Sequence, residues 1–189
     1  GTADEALNAQ IATIILDNSK KLSAIIDSIL QACADKLDDA LYELETPSSA
    51  AMTASTPEYV LSLIEKAQAS SNEFTAVFSL FVEQQEVGGD HVNVIKSANQ
   101  LAQAMCDSLV NVKGILRFCK SEEAMDRLTS VAVDAGHILL RFFLNIQSYR
   151  LAGMTSQQRT NVAVQQNAQV STALGRLADI AHSLVGQRP

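Results

Sequence analysis

Residues 3–45 read ADEALNAQIATIILDNSKKLSAIIDSILQACADKLDDALYELE, and this stretch decides the fold. Apolar side chains return at Leu7, Ile11, Ile14/Ile15, Leu22, Ile25/Ile26, Ile29, Cys33, Leu37, Leu41 and Leu44, with Asn18 occupying one place in the stripe. Steps of three and four keep one face of an α-helix apolar. No Pro or Gly interrupts the run and Pro47 closes it. The spacing predicts one helix, continuous through Asn18 and roughly 60 Å long at about 1.5 Å per residue.

Four more helical stretches follow, at about 57–86, 91–119, 122–152 and 156–186. Thr56 before Pro57 is an N-cap followed by a proline at the first helical position, and Ser55 to Glu58 has capping-box spacing. Gly88–Gly89 stops the second helix and Asp90 caps the third. Glu122 and Glu123 open the fourth, where acids suit the helix dipole, and Gly153 closes it. Thr155 with Gln158 forms another capping box. Residues 46–56 read as a Ser/Thr/Ala-rich connector, with phosphate acceptance as the alternative.

The fold class is therefore all-α, an elongated antiparallel bundle of five long helices in one rod domain, 1–189. Helices two to five reach roughly 40–48 Å, so the first overhangs them by about 15 Å. A projecting apolar stripe needs a partner, either an upstream helix or a second chain. The fifth helix has the most polar first half, with Gln166 and Asn167 at core-facing places, and is expected to open first.

A hydrophobic content of 47% with mean hydropathy +0.08 marks a folded chain. Aromatics are 5% and Trp is absent, which predicts an Ala, Leu, Ile and Val core with closely spaced helices. Gly114, Gly136 and Gly175 lie in mid-helix, where each costs about 1 kcal/mol relative to Ala, and close helix approach is the expected return. The net charge is −7, with the acids gathered in the first two helices and Lys96, Lys113, Arg117 and Lys120 in the third. Complementarity between neighbouring helices explains this, a partner site being the alternative. No continuous Lys/Arg stripe offers a grip on nucleic acid.

Chemistry is scarce. Cys33, Cys106 and Cys119 match neither a disulfide framework nor a zinc site, and read as buried thiols in a reducing compartment. His91, His137 and His182 lack ligand-spaced neighbours. Asp38–Asp39 and Glu122–Glu123 are adjacent pairs that point to different sides of a helix. Gly88–Gly89 lacks the Lys of a phosphate loop. No catalytic, cofactor-binding or metal-ligating residue is assigned, and no enzyme activity is expected. With no leader and no apolar run near 18 residues, the chain is expected to be neither secreted nor membrane-spanning.

Residues 25–31 (IIDSILQ), 38–47 (DDALYELETP) and the helix start 56–59 (TPEY) carry a resemblance. The chain resembles the talin-like rod segment of the huntingtin-interacting-protein-related endocytic adaptors, most closely the fungal members, over essentially its whole length. The resemblance implies a talin/vinculin-rod-like segment between a dimeric coiled coil and an actin-binding module. It implies F-actin, clathrin light chain and a phosphoinositide membrane as partners of other segments, and a dimer in the full-length protein with the fragment alone a monomer. The location implied is cytoplasmic, at cortical endocytic actin patches peripheral to the plasma membrane. The role that the resemblance implies is to carry force from actin to the membrane. The chain departs from the actin-binding module, whose Ile/Leu-Trp-Glu-Gln signature it lacks, so weak or no direct F-actin binding is expected. A helical-peptide-binding module of a cytoskeletal scaffold, in which the fifth helix opens to admit a partner helix, is the competing reading.

Overall fold

A computed structural model describes residues 1–47, 54–84 and 90–189. Its helices are α1 (Thr2–Glu45), α2 (Pro57–Glu83), α3 (Asp90–Ile115), α4 (Glu122–Asn145) and α5 (Ser156–Ser183), with a 3₁₀ turn at Leu116–Phe118. The described residues contain no strand. The helices form a ring in which α1 lies between α3 and α4, and α2 between α3 and α5, while α4 and α5 close the circuit. Successive helices alternate in direction. Cys33 meets Asn99 and Lys36 meets Gln103, so α1 and α3 run parallel as ring neighbours. The other adjacent pairs are antiparallel, as in α1 with α4, where Asp27 meets Ser148 and Glu45 meets His137.

Three helix starts form as their sequences dictate. Thr56 Oγ1 accepts from the Tyr59 amide at 3.2 Å, and Ser121 Oγ from the Ala124 amide at 3.1 Å. Thr155 and Gln158 exchange both bonds of a capping box. Ser55 does not cap α2; it is buried, and its hydroxyl has no partner among the described residues. The Gly88–Gly89 stop lies outside the described residues.

The core runs through all five helices. It holds rings that the composition led us not to expect: all six Phe are buried. Phe74 of α2 meets Phe142 and Phe143 of α4 edge-on, with centroids 5.6 and 5.8 Å apart. These helices are not ring neighbours, so the large side chains fill the middle of the bundle. Few aromatics sufficed because Phe74, Phe78, Phe142 and Phe143 meet there in one cluster.

Gly136 has the predicted purpose. A Cβ there would stand 2.5 Å from Leu41 Cδ2 and 3.2 Å from Leu109 Cδ1, so its absence lets α4 approach α1. Gly114 is buried near the end of α3. Gly175 corrects the expectation, since no atom lies within 4 Å of its would-be Cβ.

α2 to α5 all end a few residues earlier than periodicity predicts, α3 and α4 by the most. α3 tightens into the 3₁₀ turn after Ile115, where Phe118 is buried and the Arg117 guanidinium bonds the Gly114 carbonyl. α4 stops at Asn145, well short of Ala152. The reason is a competitor from α1, described next.

Candidate interaction surfaces

Helix α1 is continuous through Asn18, and its first half stands clear of the bundle. Every residue from 1 to 18 is exposed. Leu7 (54%), Ile11 (46%), Ile14 (59%), Ile15 (51%) and Leu16 (54%) face solvent, while Ile26 is the first buried residue at 3%. The places Leu7, Ile11, Ile14 and Asn18 alternate by four, three and four. That is the a/d spacing of a coiled-coil seam, and a single Asn at an a place is a register device.

The base of the overhang is held by a carboxylate. Asp27 Oδ1 accepts from the Ser148 amide at 2.8 Å, and Asp27 Oδ2 accepts from the Ser148 hydroxyl. Beside it, buried Gln147 donates from Nε2 to Gln31 Oε1 at 3.1 Å. Each bond draws the chain after Asn145 toward α1 and out of helical geometry. The backbone there closes short turns, such as Arg150 N to Gln147 O at 3.0 Å, and Leu151 is buried. Sequence reading missed Asp27 because its partner lies far along the chain; no local spacing signals it.

At the opposite end, the basic residues of the α3 terminus cap backbone carbonyls rather than face a ligand. Lys113 Nζ donates to Glu43 O at 2.7 Å and Thr46 O at 2.6 Å. Arg117 Nη2 donates to Ser55 O at 2.8 Å, and Lys120 Nζ to Arg188 O at 2.6 Å. The acidic first helix and basic third helix are therefore neighbours as charge predicted, but Lys113 binds helix-end carbonyls instead of carboxylates. Cations at a helix C-terminus also complement its dipole.

The polar half of α5 is better satisfied than its sequence suggested. Gln166 and Asn167 are half-buried, not core residues. Asn167 bridges to α2, accepting from Ser71 Oγ at 2.5 Å and donating to Asn72 Oδ1 at 3.0 Å. Gln166 accepts from Asn145 Nδ2 at 3.3 Å. Apolar anchorage is nonetheless thin: from Ser156 to Gln169 only Ala163 is buried.

The thiols and histidines do not converge. Cys33 and Cys106 are buried where α1 meets α3, with Cys33 Sγ 3.7 Å from Asn99 Oδ1 and Cys106 Sγ 3.7 Å from Lys36 O. Burial pushes both up to about 11, against a partial pull downward from Lys36. Cys119 is only half-buried, which corrects its reading as a core thiol, and burial raises it too. His137 lies 3.7 Å from Glu45 Oε1. His91 and His182 sit at the start of α3 and the end of α5. Asp38–Asp39 and Glu122–Glu123 are exposed. Among the described residues no group of three or more His, Cys, Asp or Glu side chains is placed to hold a metal ion. No helix among the described residues is long and apolar enough to cross a membrane.

No protein-family model matches the chain, and no solved structure matches it. Two curated proteins are similar to it. Endocytosis protein end4 of Schizosaccharomyces pombe is 27% identical over 184 residues, covering 97% of this chain and 17% of the relative. Protein SLA2 of Saccharomyces cerevisiae is 22% identical over 158 residues, covering 84% of this chain and 16% of the relative. The chain thus spans about a sixth of the length of the relatives it matches.

Proposed function

From the homology of this chain to the End4/SLA2 endocytic adaptors, we propose that it is the rod segment joining a membrane- and clathrin-binding coiled coil to an actin-binding module, and that it carries actin force toward the membrane. The observation that carries this reading is α1, half of which is bundle and half an exposed apolar helix with no break between them. A rigid helix shared by two modules passes load with little bending. The exposed seam is the junction with the coiled coil, where a second copy of the helix covers Leu7, Ile11 and Ile14 in the full-length dimer. The whole chain forms one such rod domain, without enzymatic chemistry of its own, at cortical endocytic patches. F-actin, clathrin light chain and phosphoinositide lipids engage other segments.

The test is to break the junction without touching the bundle. Ser19→Pro interrupts α1 above the first buried residue. Endocytic uptake should fall in cells whose full-length protein carries it, while the purified chain keeps its melting temperature. Unchanged uptake would overturn the reading. Sedimentation with F-actin is a second check: the isolated chain should stay in the supernatant, and low-micromolar co-sedimentation would contradict the assignment of actin to another segment.

The thin apolar anchorage of α5 between Ser156 and Gln169 supports a second element of the reading, that α5 yields first under load. Hydrogen exchange should be faster at Gln165–Gln169 than at Leu101–Met105. Equal protection would remove α5 as the yielding element.

A further inference from the structure

The face shared by α4 and α5 carries a groove away from the overhang, floored by core Ala173 and by the half-buried Val131, Ile138 and Ile180 that pack against the core. On α4 its wall is Ala124, Arg127, Val131, Asp134, Ile138 and Arg141, spaced alternately by three and four. On α5 the wall of Ala173, Arg176, Ile180 and Ser183 keeps the same alternation. Two hollows along it, of about 210 and 340 Å³, share Val131 and Arg176 and so lie end to end along one furrow between the helices. Two antiparallel walls with this spacing present a seam into which the side chains of a third helix fit.

The charges say what kind of helix. Arg127, Arg141 and Arg176 are exposed, and none makes a hydrogen bond, ion pair or ring contact among the described residues. Asp134 and Asp179 line the same furrow, with His137 at its edge. Three guanidinium forks against two short carboxylates leave an unmet preference for anions on a chain whose net charge is −7.

We propose that this groove binds an amphipathic helix of a partner protein, whose apolar stripe lies over Val131, Ile138 and Ile180 and whose carboxylates meet Arg141 and Arg176. Asp134 and Asp179 fix its register by rejecting acids at their own level. The inference is independent of the endocytic reading, because it rests on the α4/α5 face alone.

The experiment is an NMR titration of the ¹⁵N-labelled chain with a synthetic 18-residue helix carrying Leu at three-four spacing flanked by Glu, and with the same peptide carrying Lys in place of Glu. The Glu peptide should shift amides along α4 and α5 around Val131, Ile138 and Ala173. Arg141→Glu with Arg176→Glu should weaken it roughly tenfold or more and transfer the preference to the Lys peptide. Circular dichroism checks that the double variant folds, and Arg141→Gln with Arg176→Gln replaces it otherwise. Equal binding of both peptides, shifts confined to residues 2–18, or no shifts at all would overturn the proposal. Groove shifts that depend on the concentration of the chain alone would assign the site to a second copy and overturn it too.

Discussion

The two halves of α1 have much the same apolar spacing and opposite fates. From Ile26 to Leu44 the stripe is buried against α3 and α4; from Leu7 to Leu16 it faces water. Periodicity reports that a helix has an apolar face, and says nothing of what covers it. Coverage depends on the lengths of the other helices, which end before the overhang begins. The comparison separates two properties that sequence reading tends to merge, the readiness to form a helix and the burial that stabilises it.

The largest effect should come from emptying the buried half. Leu37 is fully enclosed, and Leu37→Ala should lower the unfolding free energy by about 2–5 kcal/mol, read by chemical denaturation. Filling the contact rather than emptying it is the next test. Gly136→Ala pushes a methyl group into Leu41 and should cost about 1–3 kcal/mol, whereas Gly175→Ala should gain up to about 1 kcal/mol because nothing stands in its way. Equal responses at the two glycines would mean that α1 and α4 are not in close contact.

At the boundary between the halves, Asp27→Ala leaves the Ser148 amide without its acceptor and should cost about 1–3 kcal/mol in thermal or chemical unfolding. The same variant should raise hydrogen exchange at Ser148. Smallest of all should be Ile14→Ala in the free half, a change within about 0.5 kcal/mol for the isolated chain. A loss as large as that of Leu37→Ala would mean that the overhang is covered in solution, and the contrast between the halves would collapse.

These contrasts also mark what was legible beforehand. The five helices, their Thr56 and Thr155 caps and the overhang were readable because each depends on spacing or on residues a turn apart. The early end of α4 was not, since it is set by Asp27 acting on Ser148 across the fold. The low aromatic fraction argued against a ring-built core, although Phe74, Phe78, Phe81, Phe142 and Phe143 lie on the apolar stripes of the second and fourth helices; what the sequence hid is that these two stripes meet across the bundle. Gln166 and Asn167 were read as misplaced polar residues because Ser71, Asn72 and Asn145 are their partners only in three dimensions. The groove on α4 and α5 was missed although its three-four spacing is in the sequence, because the same pattern serves helix faces that are buried.

The alternation of five helices has a mechanical corollary. An odd number of alternating helices leaves the start of α1 and the end of α5 at opposite poles, as the contacts of Asp27 with Ser148 and of Lys120 with Arg188 require. Tension between those poles runs along every helix axis at once, and the interfaces are loaded in shear. An even-numbered bundle would bring its two handles to the same pole and be unzipped layer by layer, rupturing one contact at a time. Parity alone decides that a pull applied at these two poles would load the helix interfaces in shear.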